Sequence, residues 1–271
     1  MTRRPAFAVL LLSLALAAPA VAHDTWLLPA RHAVPAGTTV VLDLTSGMAF
    51  PAPETAIKPE RISHAACRLA GKTFDIAARS AGPKSLRLKP RLADPGIASL
   101  WVELAPKSIE LKPDQVKEYL DEIGAAAEVR KVWDEGGKER RWRELYAKHA
   151  KTYVRVGEPG ADRSWAEPAG MALEIVPEKD PTALRPGDEL PLRLLQGGKP
   201  LANFPLGLVG EGDSKGLLRA TDAEGRVTFP LARAGRWLVR ATQLRRSSKP
   251  GTDWESDFAT LTLEVRAGDL R

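Results

Sequence analysis

Glycine and proline recur along the whole chain and divide it into short segments. The 271 residues include 22 Gly and 22 Pro, and both residue types interrupt regular helices and strands. This punctuation disfavours a bundle of long helices and favours many short strands joined by turns. Hydrophobic residues make up 44% and charged residues 27% of the chain, so the composition argues against a disordered, collagen-like or coiled-coil protein.

Charge and cysteine content exclude several classes of protein. Cys67 is the only cysteine, which rules out an intrachain disulfide framework and a zinc site built on a CxxC motif. The 40 Lys and Arg against 34 Asp and Glu give a formal charge of +6. The basic residues are spread out, with no basic stripe interleaved with aromatics, so we expect no nucleic-acid partner.

Residues 1–22 have the pattern of a secretory signal peptide. Arg3 and Arg4 precede an apolar run over 6–18, and an Ala-Val-Ala sequence at 20–22 forms a cleavage site. The apolar run is about half the length that a membrane span needs. We therefore predict a cleaved signal, export to the periplasm and a processed chain that does not span the membrane. An uncleaved N-terminal anchor is the alternative.

Cleavage after Ala22 makes His23 the first residue of the processed chain. Its α-amine and imidazole have ordinary pKa values near 8 and 6.5, so both can be neutral donors at physiological pH. The two nitrogens can close a chelate on one divalent transition-metal ion, which suits Ni or Co, with Cu or Zn also possible. The alternative is that a histidine follows the signal by chance.

Residues 23–157 are predicted to form an N-terminal β domain that carries a helical segment at 113–151. The first helix is indicated by apolar residues at i, i+3, i+4 and i+7, starting at Val116. Pro113 suits its first turn and Gly124 its end. The strand candidates before it are residues 38–44, 62–69, 73–77, 85–88 and 98–104.

A second helix is predicted after the glycine pair at 136–137. The same helical spacing runs from Trp142 to His149, so His149 falls on the apolar stripe of this helix. A histidine there can be a further metal ligand for the His23 site, as can His64. The alternative is a hydrogen-bonded core residue, because buried polar groups find partners.

The remainder of the chain is predicted to be all β. Residues 158–170 combine glycine and proline with scattered charges and are interpreted as a linker. From 171 to 271, about seven strands in roughly 100 residues match the spacing of an immunoglobulin-like or transthyretin-like sandwich. The predicted fold is therefore mainly β, with two β-sandwich domains and a helical hairpin insertion.

Several stretches together resemble a known family. They are HDTWL at 23–27, ELYAKHAKT at 144–152, LEIVP at 173–177, LRPGD at 184–188, GKPLA at 198–202 and DWES at 253–256. They are similar to exported domain-of-unknown-function proteins described as periplasmic components of ABC-type cobalt and nickel transport systems. The resemblance implies a periplasmic β-rich protein that handles nickel or cobalt, with its N-terminal histidine as a ligand. One departure is Gln243, where the family pattern has a histidine.

The sequence therefore predicts an exported metal-binding accessory protein for nickel or cobalt uptake, with His23 and His149 as metal ligands and a membrane metal transporter as partner. The alternative is a metal-free envelope module that recognises another protein. We expect no enzyme, because no GxSxG elbow, HExxH motif, P-loop or Rossmann glycine pattern occurs. An oxidative copper enzyme built on His23 would need a second well-placed histidine.

Overall fold

A computed structural model describes residues 23–77, 79–137 and 139–267. The predicted signal peptide at 1–22 lies outside the described residues. Among the described helices, none has the length and apolar character required to cross a membrane.

The described chain is mainly β-structure, and the prediction of a sandwich fold with a helical hairpin insertion is confirmed. The two helices are α1, Pro113–Glu122, and α2, Ala127–Glu135. The strands are β1 Asp24–Pro29, β2 Ala33–Val34, β3 Thr38–Thr39, β4 Leu42–Gly47, β5 Thr55–Ala56, β6 Ile62–Leu69, β7 Lys72–Asp75, β8 Arg79–Ala81, β9 Leu86–Leu88, β10 Arg91–Leu92, β11 Gly96–Leu111, β12 Trp142–Val156, β13 Leu173–Pro177, β14 Glu189–Gln196, β15 Lys199–Pro200, β16 Pro205–Gly210, β17 Leu217–Ala220, β18 Arg226–Pro230, β19 Gly235–Arg246 and β20 Trp254–Val265.

One large sheet runs through both halves of the chain. Its strand order is β17-β16-β19-β20-β12-β11-β6-β7, and β2 also pairs with β12. The two halves meet where β12 and β20 pair in parallel, with Glu144 opposite Trp254 and Thr152 opposite Thr262. Strands predicted to belong to two separate domains therefore share one hydrogen-bonded sheet.

Two smaller sheets cover opposite faces of this large sheet. One contains β1, β4, β5, β8 and β9, and the other contains β13, β14, β15 and β18. Alternate residues of a strand point to opposite faces, and β11 shows both packings. Leu100 belongs to the core formed with β1, β4 and β9, whereas Ile97, three residues earlier on the same strand and on its other face, belongs to the core formed with β13 and β14. The molecule is thus two sandwiches that share their central sheet.

The helical segment predicted at 113–151 is only partly correct. Helix α1 lies where it was predicted, but the second helix ends at Glu135, before the glycine pair. The helix predicted from Trp142 to His149 is wrong, because these residues form β12 between β11 and β20. This strand is buried on both faces over much of its length, so its apolar residues do not follow a simple alternation.

The segment predicted as a linker, 158–170, packs against the large sheet. A single 3₁₀ turn, Ser164–Ala166, places the Trp165 side chain in the core, where it is 3% exposed. Ser99 Oγ donates a hydrogen bond to the Trp165 carbonyl oxygen over 3.3 Å, and an Arg68 guanidinium nitrogen donates to the Glu167 carbonyl oxygen over 3.0 Å. These contacts fix the path of the chain between the two halves.

Candidate functional site

The backbone around His23 is held in place by two neighbouring elements. His23 directly precedes β1, which pairs with β4 from Asp24 opposite Gly47 onward. Lys148 on β12 reaches across and donates a hydrogen bond from Nζ to the His23 carbonyl oxygen over 2.5 Å. The position of residue 23 is therefore set by the sheet and by a lysine from β12.

The His23 imidazole lies near a carboxylate that sequence analysis did not single out. His23 Nε2 is 3.8 Å from Glu54 Oε2, and the other Glu54 oxygen accepts a hydrogen bond from the Met48 backbone N–H over 2.9 Å. Pairing of Thr55 with Ser46 brings Glu54 to this position. No spacing rule links residues 23 and 54, so only the strand register reveals their proximity.

The donor set at this position fits a divalent transition-metal ion. Imidazole nitrogen and carboxylate oxygen are both common ligands of such ions. Two ligands of one ion, each about 2.1 Å from it, lie about 3.0–3.4 Å apart. The 3.8 Å between His23 Nε2 and Glu54 Oε2 is close to that separation, and a small side-chain adjustment would close the gap.

Asp24, the residue after His23, is committed to an ion pair. An Arg240 guanidinium nitrogen donates to Asp24 Oδ2 over 2.6 Å and lies 3.5 Å from Glu122 Oε1. Burial, with the nearby Asp24 charge, raises the pKa of Glu122 to about 7. This cluster ties β1 to β19 and α1, so the Asp24 carboxylate is held by Arg240 and is not offered as a metal ligand.

A cavity of about 250 Å³ opens beside His23. Its lining combines apolar and aromatic side chains with a few polar ones: His23, Ser46, Thr55, Ile109, Leu111, Tyr119, Glu144, Tyr146, Lys148 and Phe258. Helix α1 and strands β11, β12 and β20 all contribute to it. Ligand sites commonly have this character, with mostly apolar walls and a few convergent polar groups.

Glu144 and Lys148 are the acidic and basic side chains of β12 in this cavity. Glu144 accepts hydrogen bonds from Tyr119 Oη over 2.9 Å, from Trp142 Nε1 over 2.7 Å and from Ser256 Oγ. Burial raises the pKa of Glu144, although these donors oppose the shift. Burial also lowers the pKa of Lys148 to about 8.

His149 does not join the His23 site. It follows Lys148 in β12, and consecutive strand residues point to opposite faces, so the two predicted ligands lie on opposite sides of the sheet. His149 Nε2 is 3.1 Å from Asp257 Oδ1, and Nδ1 is 3.5 Å from Glu103 Oε2. The prediction that His149 completes a site with His23 is therefore wrong, and His149 is a core residue paired with two carboxylates.

His64 and Gln243 lie on the same face as His149. His64 Nδ1 is 3.3 Å from Glu103 Oε1, so Glu103 lies between the two histidines. Gln243 is opposite Asp257 in the β19–β20 pair and accepts a hydrogen bond from Gln196 Nε2 over 2.7 Å. A histidine at position 243 would thus lie near the His149 cluster and not near His23.

Over residues 23–77, 79–137 and 139–267, no group of three or more His, Cys, Asp or Glu side chains is arranged to hold a metal ion. The His23–Glu54 pair supplies two donors. The α-amine that cleavage would add belongs to the peptide bond with residue 22, which lies outside the described part.

The fold defines a mainly β protein whose two sandwiches share one sheet, and His23 lines a cavity beside that sheet. The chain belongs to the family described as domain of unknown function (DUF4198), whose sequence model matches residues 20–245. The resemblance to a domain-of-unknown-function family is thereby confirmed. Among proteins with curated functions, none matches.

Solved structures resemble the chain only remotely. The Yersinia pseudotuberculosis adhesin InvE is 12% identical with a TM-score of 0.24, over 88% of this chain and 60% of the adhesin. An ICAM-5 D1–D4 ectodomain fragment is 12% identical with a TM-score of 0.21, over 92% and 52%. Salmonella alpha-2-macroglobulin is 14% identical with a TM-score of 0.25, over 90% and 15%. The chain thus covers less than two thirds of each, and likeness at this level says nothing about what it binds.

Proposed function

We propose that this protein is an exported, periplasmic metal-binding accessory protein for nickel or cobalt uptake, and that it chelates the ion through the processed N-terminal residue His23. The observation that carries the proposal is the placement of His23. It stands directly before β1, its carbonyl oxygen is held by Lys148, and its ring lies 3.8 Å from Glu54.

The chemistry of the proposed site comes from three donors. After cleavage the His23 α-amine and one ring nitrogen form a chelate, and the Glu54 carboxylate supplies an oxygen. Nitrogen-rich donor sets favour Ni, Co, Cu and Zn over Mg and Ca. The family resemblance favours nickel or cobalt, delivered to a membrane metal transporter.

Isothermal titration with Ni²⁺ and with Co²⁺ tests the chelate. We compare protein that begins at His23, as verified by mass spectrometry, with protein that retains Ala22 as one additional N-terminal residue. The extra residue converts the amine into an amide, which is a far weaker donor. We expect at least a tenfold loss of affinity in the extended form.

The Glu54 contribution is tested with a matched pair of variants. Glu54→Gln removes one carboxylate charge at the site, while Glu128→Gln removes one from the exposed surface of α2. We expect weaker binding only in the first variant.

Equal affinity of the processed and extended proteins would exclude the His23 site and leave the metal-free interaction module as the better interpretation.

A further inference from the structure

A second, larger cavity continues from the one beside His23. Its volume is about 570 Å³, and it shares Ser46, Thr55, Tyr146 and Lys148 with the first cavity. The residues that line only the second cavity include Lys58, Glu60, Arg61 and Lys107. The two cavities form one cleft, with an apolar part under α1 and a cationic part between β5, β6 and β11.

The cationic part carries an excess of positive charge. Lys58, Arg61, Lys107 and Lys148 line it, against the single acid Glu60. Within the described part of the chain, none of these four cations has a carboxylate oxygen within 4 Å, whereas many arginines elsewhere are paired. Examples of such pairs are Arg143 with Asp253, Arg240 with Asp24 and Arg245 with Asp257. Clustered cations without carboxylate partners attract anions.

Tyr146 marks the boundary between the apolar and cationic parts. The Arg61 guanidinium lies 5.6 Å from the centre of the Tyr146 ring, and Lys148 Nζ lies 5.6 Å from the same ring and 5.4 Å from that of Phe258. Of the three N–H groups on Lys148 Nζ, one donates to the His23 carbonyl oxygen, the only hydrogen bond this ammonium makes to the described residues. The other two are available to an acceptor in the cleft.

The geometry points to a binding site for a small organic carboxylate with an apolar body. The body fills the cavity walled by Ile109, Leu111 and Phe258, and the carboxylate groups face Lys148 and Arg61. An inorganic anion could meet the cations but would leave the apolar cavity unfilled, and a neutral apolar molecule would leave the cations without a partner. The site shares His23 and Lys148 with the proposed metal site, but it uses no metal ion, so its test is run without metal.

Isothermal titration of the processed protein, freed of metal on a chelating resin, tests the site with four probes. Phthalate carries an aromatic body and two carboxylates, benzoate has one carboxylate, benzyl alcohol has no charge, and inorganic phosphate has no apolar body. We expect phthalate to bind more tightly than benzoate, and benzyl alcohol and phosphate to bind at least tenfold more weakly than phthalate. No measurable phthalate binding, or phosphate binding as tight as phthalate, would overturn the proposal.

Three variants that each remove one positive charge locate the binding. Arg61→Gln and Lys148→Met change the cleft, while Lys199→Met changes an exposed lysine in β15. We expect each cleft variant to weaken phthalate binding at least fivefold and the control to bind like the unmodified protein. Equal losses in all three would mean attraction by overall charge and would refute a built site.

Arg61→Gln keeps the test decisive if Lys148→Met disturbs the fold, because Lys148 holds the His23 carbonyl oxygen whereas the Arg61 side chain is only half-buried. Thermal unfolding of each variant shows whether it is folded. Since metal is absent throughout, failure of phthalate binding leaves the His23 proposal standing, and failure of the metal titration leaves the carboxylate site standing.

Discussion

His149 is enclosed between the carboxylates of Asp257 and Glu103. Burial opposes the charged imidazolium, but hydrogen bonding and charge from both carboxylates outweigh it and raise the pKa of His149 from 6.5 to about 8. A group whose pKa is raised on folding stabilises the fold in its protonated form. This contribution is fully present below about pH 6.5 and is lost as the pH rises through about 8. The shift corresponds to about 2 kcal/mol.

Urea unfolding between about pH 6 and pH 9 measures this contribution when it is compared with His149→Gln. Glu122 and Lys148 also have shifted pKa values near this window, but they titrate in both proteins. We therefore expect the free-energy difference between the two proteins to shrink by about 2 kcal/mol as the pH rises. A difference that stays constant across the window would show that folding does not raise the pKa of His149.

Helix α1 is joined to β12 by a buried carboxylate. Glu144 accepts hydrogen bonds from Tyr119 on α1, from Trp142 on its own strand and from Ser256 on β20. Removing one acceptor shared by several buried donors leaves each donor without a partner, which costs about 1–3 kcal/mol per group. Glu144→Ala should therefore lower the free energy of unfolding by about 3 kcal/mol or more.

Urea unfolding measures the loss of stability in Glu144→Ala, and two further variants serve as comparisons. Glu144→Gln keeps one acceptor oxygen, so we expect a smaller loss than with alanine. Glu128→Ala, on the exposed surface of α2, should change stability by less than about 0.5 kcal/mol. A loss at Glu144→Ala no larger than at Glu128→Ala would contradict the anchoring role of this carboxylate.

The elements that sequence predicts well are those whose pattern is local. Strand β6 lies at Ile62–Leu69, the range predicted, and α1 begins at Pro113. The residue spacing in β12 wrongly predicts a helix, because the strand is central and buried on both faces and such strands do not alternate between apolar and polar residues. Two of its charged residues, Glu144 and Lys151, are buried and each has a partner that lies more than 20 residues away in the sequence.

The candidate site is predictable only in part for a related reason. His23 can be identified because it follows a predicted cleavage point. Glu54, Arg61 and Lys148 reach the cleft through strand pairing, and the sequence spacing between them carries no signal of it. His149 has the residue type of a ligand, but the strand places its side chain on the opposite face.

At the scale of the whole molecule, the shared sheet couples the two halves through a buried ion pair. Lys151 on β12 donates from Nζ to Glu174 Oε1 on β13 over 2.6 Å, and each side chain is 1% exposed. Glu174 also accepts hydrogen bonds from the backbone N–H groups of Ala169 and Gly170. The pair therefore links the central sheet, the connecting segment and the C-terminal sandwich.

This coupling predicts that the chain unfolds in one cooperative transition. Lys151→Met leaves the Glu174 carboxylate buried without its cation, which should lower the free energy of unfolding by about 3–5 kcal/mol, whereas Lys199→Met should change it by less than about 0.5 kcal/mol.

Scanning calorimetry of the unmodified protein should give one peak with matching calorimetric and van't Hoff enthalpies. The Lys151 variant should show one peak at lower temperature, because the parallel pairing of β12 with β20 still joins the halves. Two separated peaks in the unmodified protein would mean that the sheet divides between these strands and that the halves fold as independent domains.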